Sequence, residues 1–343
     1  MLPTPEVAPM HTQSKPLTGV VRVAVVQAGS VLFDTPATLA KLRRLAADAA
    51  QKGAKLALFP EAFVGGYPKG LDFGAKLGSR SPEGRDWFRR YSDAAIVVPG
   101  PETAEIGDIA AAHGIEIVTG VIERAGSTLY CAVLHFDARG RLVSRRRKLM
   151  PTALERVVWG QGDGSTLGVA ETEVGRVGYA ICWENMMPML RTALYAQDVQ
   201  LWCAPTVDDR ETWAATMRHI AMEGRCFVLS AVQILTRADC PADYPAIEGL
   251  APDAPLIGGG SLIVGPLGAV IAEPVRGREA VLTADLDFAD LTRARYDFDA
   301  VGHYARPDIF SLQVDTRAKA AVVAIAQPGE GDEATVTPAA AAE

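Results

Sequence analysis

The chain predicts an α/β layered fold, because short apolar runs of strand character alternate with segments of helical periodicity along most of its length. Three of those runs lead into a chemically capable residue: Leu56–Phe59 into Glu61, Leu142–Arg145 into Lys148 and Arg176–Ile181 into Cys182. In sheet-based enzymes the ends of core strands open on the crevice that receives ligands. With 343 residues, 49% of them hydrophobic, the chain can fill one large domain or two small ones.

The elements follow in order. Val20–Gln27 reads as a strand, and Thr35–Lys52 as a helix with Thr35 as its capping residue. Leu56–Phe59 is the next strand, and Thr103–His113 a helix ended by Gly114. Ile115–Ile122, Leu129–Phe136 and Leu142–Arg145 are strands, then Arg176–Ile181 with a helix after it. Gln200–Cys203 and Phe227–Val232 are strands on either side of a helix over Asp209–Gly224. Gly258-Gly-Gly260 reads as a turn before the strand Gly260–Val264, and Val270–Ala272 and Ala280–Leu286 close the set. Residues 1–18, rich in proline and polar side chains, read as a flexible tail ahead of a single domain over 19–312. Residues 313–343 form an extension, disordered from about residue 327, where Gly, Glu, Ala, Thr and Pro cannot bury enough surface to order the chain. Within Asp308–Ile325 the residues Ile309, Leu312, Val314, Val322, Val323 and Ile325 keep strand-like apolar content.

The chemistry concentrates in three motifs. In Gly175-Arg-Val-Gly-Tyr-Ala-Ile-Cys182-Trp183-Glu184-Asn185-Met-Met-Pro188, an apolar run stops at a cysteine and a helix-opening pattern begins at once. A thiol there would sit near a helix N-terminus, whose free N–H groups lower its pKa and favour the thiolate. Taken alone, Cys182 reads equally well as a buried small hydrophobe. In Phe59-Pro60-Glu61-Ala-Phe-Val-Gly65-Gly66-Tyr67, a carboxylate ends a core strand, although most glutamates at such places simply meet solvent. In Arg145-Arg146-Arg147-Lys148-Leu149-Met150-Pro151, only Lys148 abuts an apolar pair and a proline, so it is the base expected to turn inward. The other three bases read as a solvated patch or an anion-binding strip.

A cysteine, a lysine and a glutamate together offer a nucleophile, a fixed cation and a base. The thiolate is a soft nucleophile, a fixed cation stabilises charge that develops on the group attacked, and a carboxylate can take the thiol proton and later activate water. The segments FPEAFVGGYPKG, RRRKLMPTALERVVWGQGDGSTL, ICWENMMPMLR, APTVDDRETWAATMRHIAMEGRCFV and PDIFSL resemble, in order from about Val21 to Leu312, the nitrilase branch of the carbon–nitrogen hydrolase superfamily. The Cys-Trp-Glu-Asn sequence in particular resembles nitrilases proper. The resemblance implies a four-layer α-β-β-α sandwich with Cys182 as nucleophile, Lys148 as stabiliser and Glu61 as base. It implies that Glu155 is a second glutamate that positions substrate or lysine; otherwise Glu155 reads as a surface salt bridge to Arg156.

Motif position makes Tyr67, Trp159, Trp183, Met187 and Thr206 candidates to line the substrate pocket, a mixture that fits an apolar aryl or arylalkyl group. Asn185 is placed to cap the helix entered through Pro188, Glu184 to complement its dipole, and the backbone N–H of Trp183 to serve as an anion donor. By resemblance the reaction turns a nitrile into a carboxylic acid and ammonia through a thioimidate and an acyl-thioester. An amidase, or a nitrile or cyanide hydratase, is the alternative on the same fold and residues. A catalytically silent scaffold is the third reading, which the presence of Glu61, Lys148 and Cys182 together disfavours.

Other chemistry falls away. His219, within the helical spacing of Trp213, Met217 and Ile220, reads as packing rather than as a base for Cys182. There is no Cys-x-x-Cys, no His-x-x-x-His and no glycine-rich phosphate loop, so neither a metal nor a cofactor is expected. Net charge is 34 − 41 = −7, which argues against nucleic acid, and no run approaches eighteen apolar residues, which argues against a membrane span. The five cysteines show no disulfide framework, and the N-terminus lacks a signal-peptide pattern, so a cytoplasmic enzyme is expected. Cys131 and Cys203 read as core. The partner is a small-molecule nitrile. The resemblance also implies a homo-oligomer built from dimers, which nitrilases often extend into spirals or filaments; Met186 to Leu190 offers an apolar helix face for it.

Overall fold

The computed structural model describes residues 19–320 and residue 322, apart from residue 252. Its strands are β1 (Val20–Gln27), β2 (Leu56–Leu58), β3 (Ala75–Lys76), β4 (Ser79–Arg80), β5 (Glu116–Ala125), β6 (Thr128–Phe136), β7 (Leu142–Arg147), β8 (Ala170–Thr172), β9 (Gly175–Tyr179), β10 (Leu201–Cys203), β11 (Phe227–Ser230), β12 (Ile234–Thr236), β13 (Pro255–Val264), β14 (Val270–Arg276) and β15 (Ala280–Asp287). The helices are α1 (Thr35–Gln51), α2 (Pro82–Ala94), α3 (Pro101–His113), α4 (Pro188–Tyr195), α5 (Glu211–Gly224) and α6 (Ala289–Ala294).

Two sheets carry the fold. One is six-stranded, in the order β15-β1-β2-β5-β6-β7; the other runs β12-β13-β11-β10-β9-β8, with β14 added against β13. The central pairs β1–β2–β5 and β9–β10–β11 are parallel, so strand ends gather on one edge of each sheet. Alternation along β1 shows how the layers form. Val23 and Val25 join a cluster between the sheets with Leu58, Val118, Tyr179, Leu201 and Phe227. Ala24 and Val26 point the other way, into a cluster with α1 and α3 (Leu42, Ala46, Ile106, Ile109). Trp202, Val228 and Leu262 of the second sheet pack outward on Leu194 of α4 and on Trp213, Met217 and Ile220 of α5. Helices therefore cover both outer faces, giving the α-β-β-α order. Strands buried on both faces are predominantly apolar, which is why they stand out in the sequence.

Several local expectations are corrected. Asp34, not Thr35, caps α1: its carboxylate accepts from the Ala37 N–H at 2.9 Å, while the Thr35 hydroxyl donates to the Ala94 carbonyl. Helix α2 was not anticipated, because charged residues surround its stripe of Trp87, Tyr91 and Ala94; Ser81 caps it through the Gly84 N–H. Gly258-Gly-Gly260 lies inside β13 rather than in a turn. A Cβ on Gly259, at φ +79°, would fall 2.5 Å from the Gln27 side chain, so glycine lets the two sheets approach closely there. Residues 308–320 contain no strand, so the apolar residues Ile309, Leu312 and Val314 are not strand residues. The expectations for residues 1–18, for Val323 and Ile325, and for disorder from about 327 lie outside the described residues.

A buried polar chain also bridges the sheets. His135 on β6 has Nε2 2.9 Å from Glu116 Oε2 on β5 and Nδ1 2.5 Å from the hydroxyl of Tyr179 on β9. Unsatisfied buried polar groups are costly. His135→Ala should therefore lower unfolding stability by about 2 kcal/mol, because it removes a buried partner from both Glu116 and Tyr179, although Tyr179 keeps its bond with Ser144. Urea unfolding at unchanged m value would measure this; a loss below about 1 kcal/mol would show that the chain bears little of the stability.

Candidate active site

Glu61 follows β2, Lys148 follows β7 and Cys182 follows β9, and all three are buried at the same edge of the inter-sheet core. Glu61 Oε1 accepts from Lys148 Nζ at 2.7 Å. The same ammonium donates to Glu155 Oε2 at 2.8 Å, so one cation holds two carboxylates. Glu155 does not pair with Arg156, which donates to the Pro151 carbonyl instead. It accepts from the Tyr67 hydroxyl at 3.0 Å and the Thr152 N–H at 2.6 Å. Tyr67 stacks edge-on against Trp159, whose indole N–H donates to Tyr91 and whose ring lies 5.4 Å from Lys148 Nζ.

Burial raises the Glu61 carboxyl above its ordinary value near 4.5; Lys148 opposes the rise and Glu155 adds to it. Burial alone would lower Lys148, but the surrounding carboxylates and thiols outweigh it and hold the ammonium well above its usual range. Burial and the Glu61 charge push the Cys182 thiol up strongly, against the pull of Lys148 and Thr206. This corrects the expectation of a helix-lowered thiolate. Cys182 opens a five-residue 3₁₀ turn, Cys182–Met186, and α4 begins only at Pro188. The surroundings of Cys182 therefore favour the thiol over the thiolate.

The local backbone is held in unusual conformations. Cys182 (φ +50°), Ala62 just after Glu61 (φ +50°) and Ala153 (φ +46°), which opens the 3₁₀ turn Ala153–Val157 holding Glu155, all occupy the left-handed region. Several bonds fix the elbow. The Cys182 N–H donates to Pro205, and Asn185 donates to the carbonyls of Ala180 and Cys182 while accepting from the Trp202 indole. Asn185 thus ties the elbow to β10 and does not cap α4.

Of the four consecutive bases, Arg145 and Arg147 share Glu123, whereas Arg146 is fully buried on Glu184, so Lys148 is not alone in turning inward. Further partners of the site escaped the sequence reading. The Cys131 thiol lies 3.6 Å from Glu61 Oε1 as well as in the core, and Gln233 donates to the Glu61 carbonyl at 2.6 Å. Only Cys131 left a trace, as a cysteine inside an apolar run. His219 is exposed on α5, 3.6 Å from Glu223, and is no base for Cys182.

A cavity of about 330 Å³ opens beside the cluster, lined by Tyr67, Glu155 and Trp159 together with Leu71, Phe73, Leu154, Val157 and Val158. Cys182, 4% exposed, sits behind this opening rather than in its wall. Thr206 is fully buried against the thiol. Trp183 is half-exposed and donates to Asp208 beneath Arg210, and Met187 packs on the outer α-layer core, so both flank the elbow away from the cavity. Among the described residues no group of His, Cys, Asp and Glu is arranged to hold a metal ion.

The carbon–nitrogen hydrolase profile matches residues 22–296. The chain belongs to the carbon–nitrogen hydrolase family. Within it, the chain falls in the nitrilase branch. It is 55% identical over 302 residues to an aliphatic nitrilase of Sinorhizobium fredii (88% of this chain, 98% of the relative). It is 54% identical over 299 residues to the bifunctional nitrilase/nitrile hydratase NIT4A of Lupinus angustifolius (86% of each). Among solved structures, the Caenorhabditis elegans NitFhit protein matches 89% of this chain and 69% of its own with a TM-score of 0.69, at 21% identity, a likeness of fold.

Gly120 on β5 tests the placement of Glu61. A Cβ there would lie 2.3 Å from the Pro60 carbonyl oxygen and 2.6 Å from Glu61 Cα. Gly120→Ala should displace Glu61 and lower turnover about 10²-fold, the scale of an ångström's misplacement. Activity and circular dichroism measured together check it; full activity in a folded variant would show that the carboxylate tolerates the shift.

Proposed function

We propose that the chain hydrolyses organic nitriles to carboxylic acid and ammonia, with Cys182 as nucleophile, Glu61 as base and Lys148 as the fixed cation. The observation that carries the reading is the buried Lys148 ammonium held between Glu61 and Glu155 beside the Cys182 thiol. Glu61 takes the thiol proton as sulfur bonds to the nitrile carbon and passes it to nitrogen, giving a thioimidate. Lys148 and the Trp183 N–H stabilise the charge gathering on nitrogen. Glu61 then activates a water, and the resulting tetrahedral intermediate breaks its C–N bond to release ammonia and leave an acyl-thioester. A second water, activated in the same way, breaks the C–S bond, frees the acid and restores the thiol. Glu155 and Tyr67 orient Lys148, and Thr206 holds the thiol.

The cavity's Leu71, Phe73, Leu154, Val157 and Val158 support an apolar aryl or arylalkyl substituent, packed near Tyr67 and Trp159. Nitrile hydration is the second reading: breaking the C–S bond of the tetrahedral intermediate, in place of the C–N bond, yields amide. A relative bearing both activities in its name favours keeping it in view. The continuous core between the sheets supports residues 19–312 as one catalytic domain. The exposed Met186 and Met189 beside the elbow support self-association into dimers and longer assemblies. Five free cysteines suit a cytoplasmic setting.

Chromatography of acid, amide and ammonia from aliphatic, aromatic and arylacetonitriles tests the reading. Acid with equimolar ammonia is expected, amide without ammonia would favour the hydratase, and turnover of amides alone would overturn both. Cys182→Ala should lower turnover by at least about 10⁴-fold with circular dichroism unchanged. Because burial raises Glu61 and the base must be deprotonated, activity should rise with pH along an acid limb above the ordinary carboxylate value near 4.5. An acid limb of kcat/KM at or below that value would contradict Glu61 as base.

A further inference from the structure

A second buried ion pair lies beside the first and joins the lysine segment to the cysteine segment. Arg146 and Glu184 are both fully buried, and the guanidinium meets the carboxylate through both terminal nitrogens, at 3.0 Å from Nη1 and 3.0 Å from Nη2. Glu184 also accepts two backbone N–H groups: Leu149, next to Lys148, at 2.6 Å, and Ile181, next to Cys182, at 2.8 Å. One carboxylate therefore grips the residue after the lysine and the residue before the cysteine, while its partner Arg146 is anchored in β7 two residues before Lys148. Its Nη1 also reaches the Arg147 carbonyl at 3.3 Å.

We infer that Glu184 and Arg146 are positioning residues that set Lys148 against Cys182 and thereby decide whether the intermediate yields acid or amide. This rests on the nitrile-hydrolysing reading above. In the tetrahedral intermediate, C–N cleavage expels ammonia only when the nitrogen has gained a proton from a group held beside it. C–S cleavage instead sends the electron pair to sulfur, and the thiol is restored with a proton from the acid form of Glu61. Drawing Lys148 away from the nitrogen handicaps the first route and leaves the second. A bridge that fixes the lysine–cysteine separation therefore favours acid. Burying a charged pair adds little net stability, whereas here every carboxylate oxygen of Glu184 is committed to a group flanking the reacting residues.

The test uses the full-length chain with Glu184→Gln, Arg146→Lys and the paired Arg146→Met/Glu184→Gln, which leaves no unpaired buried charge. Acid, amide, kcat and KM are measured on one arylacetonitrile, together with the rate of Cys182 alkylation by iodoacetamide across pH. Support is a folded variant with KM within about threefold, kcat lowered at least about tenfold, and a larger amide share. An acid-to-amide ratio and an alkylation profile equal to those of the parent, in any folded variant, overturn the inference. So does failure of all three to fold, which would make the bridge purely structural. If the parent turns over no nitrile, the functional reading fails, and the alkylation profile alone then decides: a shift supports the positioning role and an unchanged profile overturns it.

Discussion

The ammonium of Lys148, buried between two carboxylates, is the constraint around which the site is organised. An isolated charge so far from water would be expelled or neutralised. Two carboxylates on one cation invert that problem: the lysine stays charged, and one carboxylate is left short of a full partner. Glu61 Oε2 has no hydrogen-bond partner among the described residues, so the shortfall falls on the carboxylate nearest the Cys182 thiol. The raised Glu61 carboxyl and the raised Cys182 thiol are thus two consequences of one crowded cluster.

The sandwich makes this crowding tolerable by delivering each member from a different rigid element. β2 hands over Glu61, β7 Lys148, β9 Cys182 and β10 Thr206, all at one edge. None of the three principal groups depends on a long mobile loop. The positive φ values at Ala62, Ala153 and Cys182 mark where the chain turns sharply to aim a side chain. Such strain persists only when surrounding contacts over-determine it, as the Asn185 bonds do for the elbow.

Much of this was legible in the sequence. Doubly buried strands are rich in apolar residues, so β1, β5 and β6 stood out despite buried polar residues such as Glu116, Thr119 and His135, and Glu61, Lys148 and Cys182 each stood just past a strand. The order of the two sheets, by contrast, depends on pairings between residues far apart in the chain, which no local pattern encodes; it came from family likeness. Arg146 was legible yet missed. Strand alternation puts Arg146 and Lys148 on one face of β7 and Arg145 and Arg147 on the other, where both meet Glu123. Gly259 was not legible, since its reason is a side chain from the opposite sheet. Nor was the state of Cys182: a helix start in sequence looks the same whether the turn is α or 3₁₀, and its neighbours' carboxylates lie over a hundred residues away in Glu61's case.

Two buried ion-pair clusters side by side divide the work by their charge balance. Arg146 with Glu184 is a matched pair: the guanidinium cannot give up its proton, and every Glu184 oxygen is engaged. Its engaged groups suit it to hold geometry. Lys148 with Glu61 and Glu155 is unmatched, one positive group against two acids, and retains the freedom to move a proton. The matched pair adjoins the unmatched one through Leu149, next to Lys148, and Ile181, next to Cys182, so the two clusters share one rigid frame.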